Sequence, residues 1–186
     1  MEILKKLALF MAATIAAIVL IAWSLDSFGF RSPISALLVN WMVLSWTATE
    51  TLLAHLSFPS AYYDTKPFER TGQLYERIGI RLVKKLLRRG PLRILSPTLQ
   101  FPKEKTVSAL RNLENEMRKA ETAHALTFIL MLWVVGYAAV KGWLDAVIWM
   151  LLFDVLINVY PIMLQRYNRI KLQEFIYKSI TSWAAE

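Results

Sequence analysis

The chain has 186 residues, 56% of them apolar, a formal charge of +8 and no cysteine. Its apolar share exceeds that of ordinary soluble domains, and the missing thiols exclude disulfides, thiolate nucleophiles and Cys-based zinc sites. His55 and His124 are the only imidazoles, so histidine-dependent chemistry must rest on one of them.

Four apolar runs, about 7–25, 34–56, 123–140 and 144–164, punctuate the chain. Each is near the ~20 residues a helix needs to cross a bilayer. The first follows Lys5 and Lys6 as a signal peptide would. Its apolar core is longer than the ~7–15 residues of such a peptide and no small-x-small cleavage site follows, so it reads as a retained anchor. A short connection at 26–33, with Gly29 and Pro33 as breakers, leads to the second run.

The segment 57–122 is polar and basic. From 68 to 89 it reads as an amphipathic helix: Leu74, Ile78, Leu82 and Leu86 recur every four residues, with Arg77, Arg81, Lys84 and Arg88 on another face. That pattern suits a helix lying among lipid headgroups. Gly90 and Pro91 end it, and Pro97 and Pro102 keep the next stretch irregular. A second helix is expected from near Lys103. Its stripe Val107, Leu110, Leu113 and Met117 continues at helical spacing to Glu121 and His124, and so into the third run. Lys141-Gly142 then allows only a tight antiparallel hairpin to the fourth. There is no internal repeat and no low-complexity segment.

Basic residues set the expected orientation. Twenty of the 22 lie in the N-terminus, in 57–122 or after Leu164, leaving only Arg31 and Lys141 in the other two connections. Four crossings put all three basic segments on one side, which the positive-inside rule makes the cytoplasm. The expectation is an all-α integral membrane protein with about four transmembrane helices. It forms a single membrane domain over 1–186 in the cytoplasmic membrane, with both termini and 57–122 cytoplasmic. The positive charge then describes a membrane surface, and nucleic acid is not needed to explain it.

Three polar constellations interrupt this scheme. Glu121 and His124, three apart, share a helix face. A carboxylate beside an imidazole can fix the ring's orientation for general-base work; the plainer alternative is a polar helix end at headgroup level. Asp154 and Asn158 are four apart, Gln165 and Arg169 continue their face, and Pro161 frees a backbone carbonyl nearby. Such a line can bind a polar substrate or join helices by hydrogen bonds. Glu50 and His55, taken with Glu121 and His124, resemble an incomplete di-metal ligand set. The seven Trp read as interface anchors. No phosphate-binding glycine loop, serine elbow or Asp-rich magnesium motif is present.

Three segments carry a family resemblance. They are Phe68-Glu69-Arg70-Thr71-Gly72-Gln73-Leu74-Tyr75-Glu76, the stretch 116–124 with Arg118, Ala120, Glu121 and His124, and Asn158-Val159 followed by Gln165-Arg166-Tyr167-Asn168-Arg169. Over about 63–173 the chain resembles the glycosyl-4,4'-diaponeurosporenoate acyltransferase family, enzymes that complete staphyloxanthin-type carotenoid glycosyl esters. The resemblance implies a membrane acyltransferase that esterifies a sugar hydroxyl of a lipid-linked glycoside from a fatty acyl thioester. The thioester, acyl-CoA or another, is a co-substrate and no cofactor is implied; the partners are the glycoside, the thioester and membrane lipids.

On that reading His124 is the base, Glu121 its orienting partner, and Asn158 and Gln165 the oxyanion donors. Arg166 and Arg169 would hold phosphates of the acyl carrier, and Glu69 and Asn168 complete the substrate-binding set. No metal is assigned. Two other readings remain open at this point: a non-catalytic adaptor whose basic helix binds anionic lipid or a partner protein, and a metal-dependent lipid oxidase using Glu50, His55, Glu121 and His124.

Overall fold

The computed structural model describes residues 2–88 and 106–183. Among these the chain is helical, with no strand. In order come α1 (Glu2–Phe28), α2 (Pro33–Leu53), α3 (Ser60–Tyr63), a 3-10 turn (Pro67–Glu69), α4 (Gln73–Arg77), α5 (Ile80–Arg88), α6 (Val107–Val140), α7 (Leu144–Asp154), a π turn (Val155–Val159) and α8 (Tyr160–Trp183).

Among the described residues three helices are long and apolar enough to cross a membrane: Ile3–Phe28, Val107–Val140 and the run Leu144–Ile176. The second expected crossing, 34–56, is helical as α2 but is not one of the three. Asn40, Thr47, Glu50 and Thr51 dilute its apolar character, and all four are buried. The stripe from Val107 through His124 does form one continuous helix, α6. The expected start near Lys103, and Pro91, Pro97 and Pro102, lie outside the described residues.

The chain packs as two compact units. Unit one comprises Met1–Ser57 and Thr122–Pro161; unit two comprises Phe58–Glu121 and Ile162–Glu186.

In unit one, Gly29 takes a left-handed φ of 74° and its N–H closes α1 on the Leu25 carbonyl at 2.9 Å. Ser32 then caps α2 by accepting the Ile34 N–H at 3.1 Å, with Pro33 in the first turn where a missing N–H costs nothing. Gly142, at φ 71°, makes the expected tight turn between α6 and α7. Arg31 of the first connection meets Asp145 after the second at 2.8 Å, so both connections lie at one end of this unit.

The core of unit one is Ala36, Val39, Met131, Val135 and Met150. Polar cross-links between its helices include Trp46 donating to the Thr14 hydroxyl at 3.1 Å and the Thr47 and Thr127 hydroxyls 2.6 Å apart. Such links average only about 0.6 kcal/mol in membrane bundles, so close apolar packing holds the helices. The outward face carries Leu7, Ile18, Trp133, Val140 and Ile148, all well exposed, as suits a lipid-facing surface.

In unit two the Leu110 and Met117 stripe of α6 packs on Leu172 of α8, flanked by Leu113, Phe175 and Ile176. The expected single helix over 68–89 is three pieces instead. Gly72 and Gly79 sit at φ 70° and 86°, conformations that no continuous right-handed helix admits, and they separate the 3-10 turn, α4 and α5. The breaks let Glu69 and Tyr75 turn inward, where both are buried. The side chains of Leu86 and Arg88 lie outside what the structure describes.

Candidate functional site

The sequence-marked polar residues fall into two groups of different character, one in each unit.

The group in unit one is centred on Asn158. Its Nδ2 donates to Asp154 Oδ1 at 2.7 Å and to Asn40 Oδ1 at 3.2 Å. Asn40 in turn donates its own amide to the Ala36 carbonyl at 3.1 Å, so its oxygen is the atom that faces Asn158. A carboxylate only accepts, so Asp154 fixes which end of the Asn158 amide is the nitrogen. The oxygen, Oδ1, then faces His124 Nδ1 at 3.3 Å. That acceptor places the neutral ring's proton on Nδ1 and leaves the lone pair on Nε2.

Local sequence builds this arrangement. The π turn at Val155–Val159 departs from α-helical register between Asp154 and Pro161, a kind of irregularity often found at functional sites. Pro161 has no N–H to offer the Ile157 carbonyl four residues back. Asn158, Asp154 and Asn40 are fully buried, whereas His124 is only partly so. Asp154 Oδ2 is also buried and has no hydrogen-bond partner among the described residues. Asn40 was missed in the sequence; its signal is a lone amide in the middle of an apolar helix.

The group in unit two is a dense ion-pair network. Arg166 grips Glu69 with two parallel bonds, Nε to Oε1 and Nη2 to Oε2, both 2.9 Å. Its Nη1 donates to Glu121 Oε1 at 2.9 Å and to the Tyr62 carbonyl at 3.1 Å. Arg169 completes the chain, with Nη2 on Glu121 Oε2 at 2.7 Å and Nη1 on the Tyr63 carbonyl at 2.8 Å. Tyr75 donates to Glu69 Oε1 at 2.5 Å and the Lys66 N–H to Oε2 at 2.9 Å. The rings of Tyr62 and Tyr63 lie under Arg166 and Arg169, 5.5 and 5.4 Å from the guanidinium carbons.

The electrostatics follow from these contacts. Burial alone would raise Glu69, but the bonds from Arg166, Tyr75 and the Lys66 N–H outweigh it and hold the carboxyl below its ordinary value. Burial, with the Glu121 carboxylate, pushes the Tyr62 phenol up to about 12. Tyr75 is raised by burial and by Glu69. Both phenols therefore stay neutral donors at physiological pH.

Several expected roles meet different partners. Both oxygens of Glu121 are engaged by Arg166 and Arg169, and the expected Glu121–His124 pairing is replaced at Nδ1 by Asn158. A doubly ion-paired carboxylate has no reason to leave two guanidinium groups for a neutral imidazole. All three nitrogens of Arg166 are likewise engaged inside unit two, where an acyl-carrier phosphate was expected. Asn168 accepts from Lys84 at 2.6 Å. Gln165 is buried on α8. Among the described residues no group of three or more His, Asp or Glu side chains could hold a metal ion, and His55 is exposed.

A family model described as glycosyl-4,4'-diaponeurosporenoate acyltransferase matches residues 59–178. The chain belongs to this family. The matched span contains His124, Asn158 and Asp154, and also Glu69, Glu121, Arg166 and Arg169, so the family segment carries both polar groups. No curated protein and no solved structure matches the chain.

Proposed function

We propose that this protein is a membrane acyltransferase that moves a fatty acyl group from an acyl thioester to a sugar hydroxyl of a lipid-linked glycoside such as a glycosyl carotenoid. The observation that carries this reading is the chain Asp154–Asn158–His124, which sets one tautomer of the half-buried imidazole, in a protein whose family is named for acyl transfer. Nε2 of His124 takes the proton of the acceptor hydroxyl as its oxygen attacks the thioester carbonyl carbon. The tetrahedral intermediate collapses, the C–S bond breaks, and the imidazolium returns that proton to the departing sulfur. The products are an ester and a free thiol. Base catalysis of this kind supplies ~10²–10⁴-fold. Asn158 is the positioning residue for the ring.

Glu69, Glu121, Arg166 and Arg169 act in this reading as the frame of unit two. The donor's phosphates are assigned to the exposed cations Arg77, Arg81 and Lys85. The same reading places the chain in the cytoplasmic membrane with four crossings and both termini in the cytoplasm, where acyl thioesters are made. Two facts support α2 as the fourth crossing. At 1.5 Å per residue its 21 residues span about 31 Å, a hydrocarbon thickness, and the polar side chains Asn40, Thr47 and Thr51 are buried.

Mass spectrometry of lipid and pigment extracts from cells with and without the protein tests the proposal. A glycolipid heavier by one acyl group should appear only with the protein and should vanish with His124→Ala. Charge reversal at Arg77 and Arg81 should weaken the donor without abolishing product. Identical extracts, or a product insensitive to His124, would refute it.

A further inference from the structure

Asp154 holds an oxygen that the fold leaves open. Its side chain is fully buried, its Oδ1 is committed to the Asn158 amide at 2.7 Å, and its Oδ2 is buried with no donor among the described residues. Buried carboxylate oxygens are nearly always satisfied, and an exception asks for an explanation. The cost is greatest in a dry interior, where neither water nor a counter-ion compensates. Orientation of Asn158 needs only Oδ1, so the assignment of the imidazole tautomer leaves Oδ2 unexplained.

Other buried groups are less informative. Among the described residues Glu50 makes no hydrogen bond to His124, and Glu69 and Glu121 are saturated by Arg166, Arg169 and Tyr75. Among the described residues Asp154 alone combines an open acceptor with a hydrogen-bonded chain, of 2.7 and 3.3 Å links, to the imidazole of His124.

We infer that Asp154 is an acceptor-binding residue: its Oδ2 accepts a hydrogen bond from a second hydroxyl of the polyol while His124 Nε2 takes the proton of the first. The inference rests on the acyl-transfer reading and deepens it by naming the residue that recognises the acceptor's second hydroxyl. A sugar presents two hydroxyls, one for the base and one for the carboxylate; a simple long-chain alcohol presents only one. The carboxylate thereby selects polyols over monohydric lipids. By holding a fixed partner hydroxyl it also selects which position is esterified. A buried polar group that must be matched discriminates strongly against analogues lacking its partner, because the mismatch leaves it unpaired.

The test uses the full-length protein in lipid nanodiscs, palmitoyl-CoA as donor, and dodecyl β-glucoside with its monodeoxy analogues as acceptors. Wild type should lose at least about tenfold in kcat/KM on one deoxy analogue that keeps the esterified position. Asp154→Ala should show that same loss on dodecyl β-glucoside and no further loss on that analogue. Asp154→Asn, which keeps the shape but replaces an acceptor by a donor, should be at least as impaired. Equal penalties for the deoxy analogue in wild type and Asp154→Ala, or a fully active Asp154→Asn, would overturn the inference and leave acyl transfer standing. Equilibrium binding of radiolabelled dodecyl β-glucoside separates the two levels. Wild type that neither acylates nor binds it overturns both. Binding without turnover, weakened by Asp154→Ala, supports the polyol site and rejects only the chemistry.

Discussion

The polar group of unit one and that of unit two are built on opposite plans. Around Glu69, Glu121, Arg166 and Arg169 two carboxylates meet two guanidinium groups, every carboxylate oxygen has a donor, and tyrosine rings cover the cations. Around Asn158 the contacts are fewer, one carboxylate oxygen is open, and the imidazole is half-buried. In unit two the open atom is a donor, the buried Nε of Arg169, and every acceptor is met; in unit one the open atom is an acceptor, which a substrate hydroxyl can satisfy. On the proposed function, the strongest charges in the chain are framework and the weaker polar groups carry the chemistry.

The comparison breaks first at Glu121. Removing it leaves two buried cations without their shared anion, so Glu121→Ala should destabilise the protein by about 3–5 kcal/mol. Chemical unfolding in detergent measures this, and a loss below about 1 kcal/mol would mean that the network is not the frame. Arg166→Lys keeps the charge but loses the paired grip on Glu69; about 1–3 kcal/mol should go. Its acyl-donor KM should stay unchanged per folded molecule, whereas a donor-specific rise would return Arg166 to the phosphate site.

Gly72 sharpens the account of the broken basic segment. A Cβ there would sit 3.1 Å from Tyr167 Cε2 and force a side chain into φ 70°, whereas Gly79 meets nothing within 4 Å and carries only the φ penalty. Gly72→Ala should therefore cost more than Gly79→Ala, for which about 1–2 kcal/mol is expected from the left-handed conformation alone. Thermal melts of the two variants settle the order; equal shifts would mean that Tyr167 yields freely.

The smallest expected effect is on acid stability. Glu69 is held below its ordinary value in the folded protein. Its stabilisation is thus complete above the ordinary carboxylate pKa and is lost as pH falls through the depressed folded value. Unfolding followed from neutral pH into the acid range should show this loss, and Glu69→Gln should flatten that part of the curve. An unchanged slope in the variant would place the acid sensitivity elsewhere.

The parts of this arrangement legible in the sequence are those that depend on periodicity. The apolar runs, the Val107-to-His124 stripe and the Lys141-Gly142 turn each rest on local pattern, and each appears as helix or turn. The break at Gly79 was also present in the sequence, but a four-residue leucine and arginine repeat concealed it. The special residues His124, Asn158, Glu121 and Arg166 were recognisable because polar groups are costly at membrane depth. Their partners were not, because pairing depends on which helix faces meet. Glu121 lies three residues from His124 in sequence, yet its bonds run to α8, and Asn158 depends on Asn40, 118 residues away. Spacing along one helix suggests neighbours, whereas the strongest available charge decides partners.

The division between frame and chemistry is tested most directly by His124→Ala in purified protein, with acyl transfer from palmitoyl-CoA to dodecyl β-glucoside followed by mass spectrometry beside a detergent unfolding curve. The variant should lose at least about a hundredfold in turnover and keep the wild-type unfolding midpoint. Full turnover in a folded His124→Ala protein, or a collapse of stability as large as that of Glu121→Ala, would contradict it.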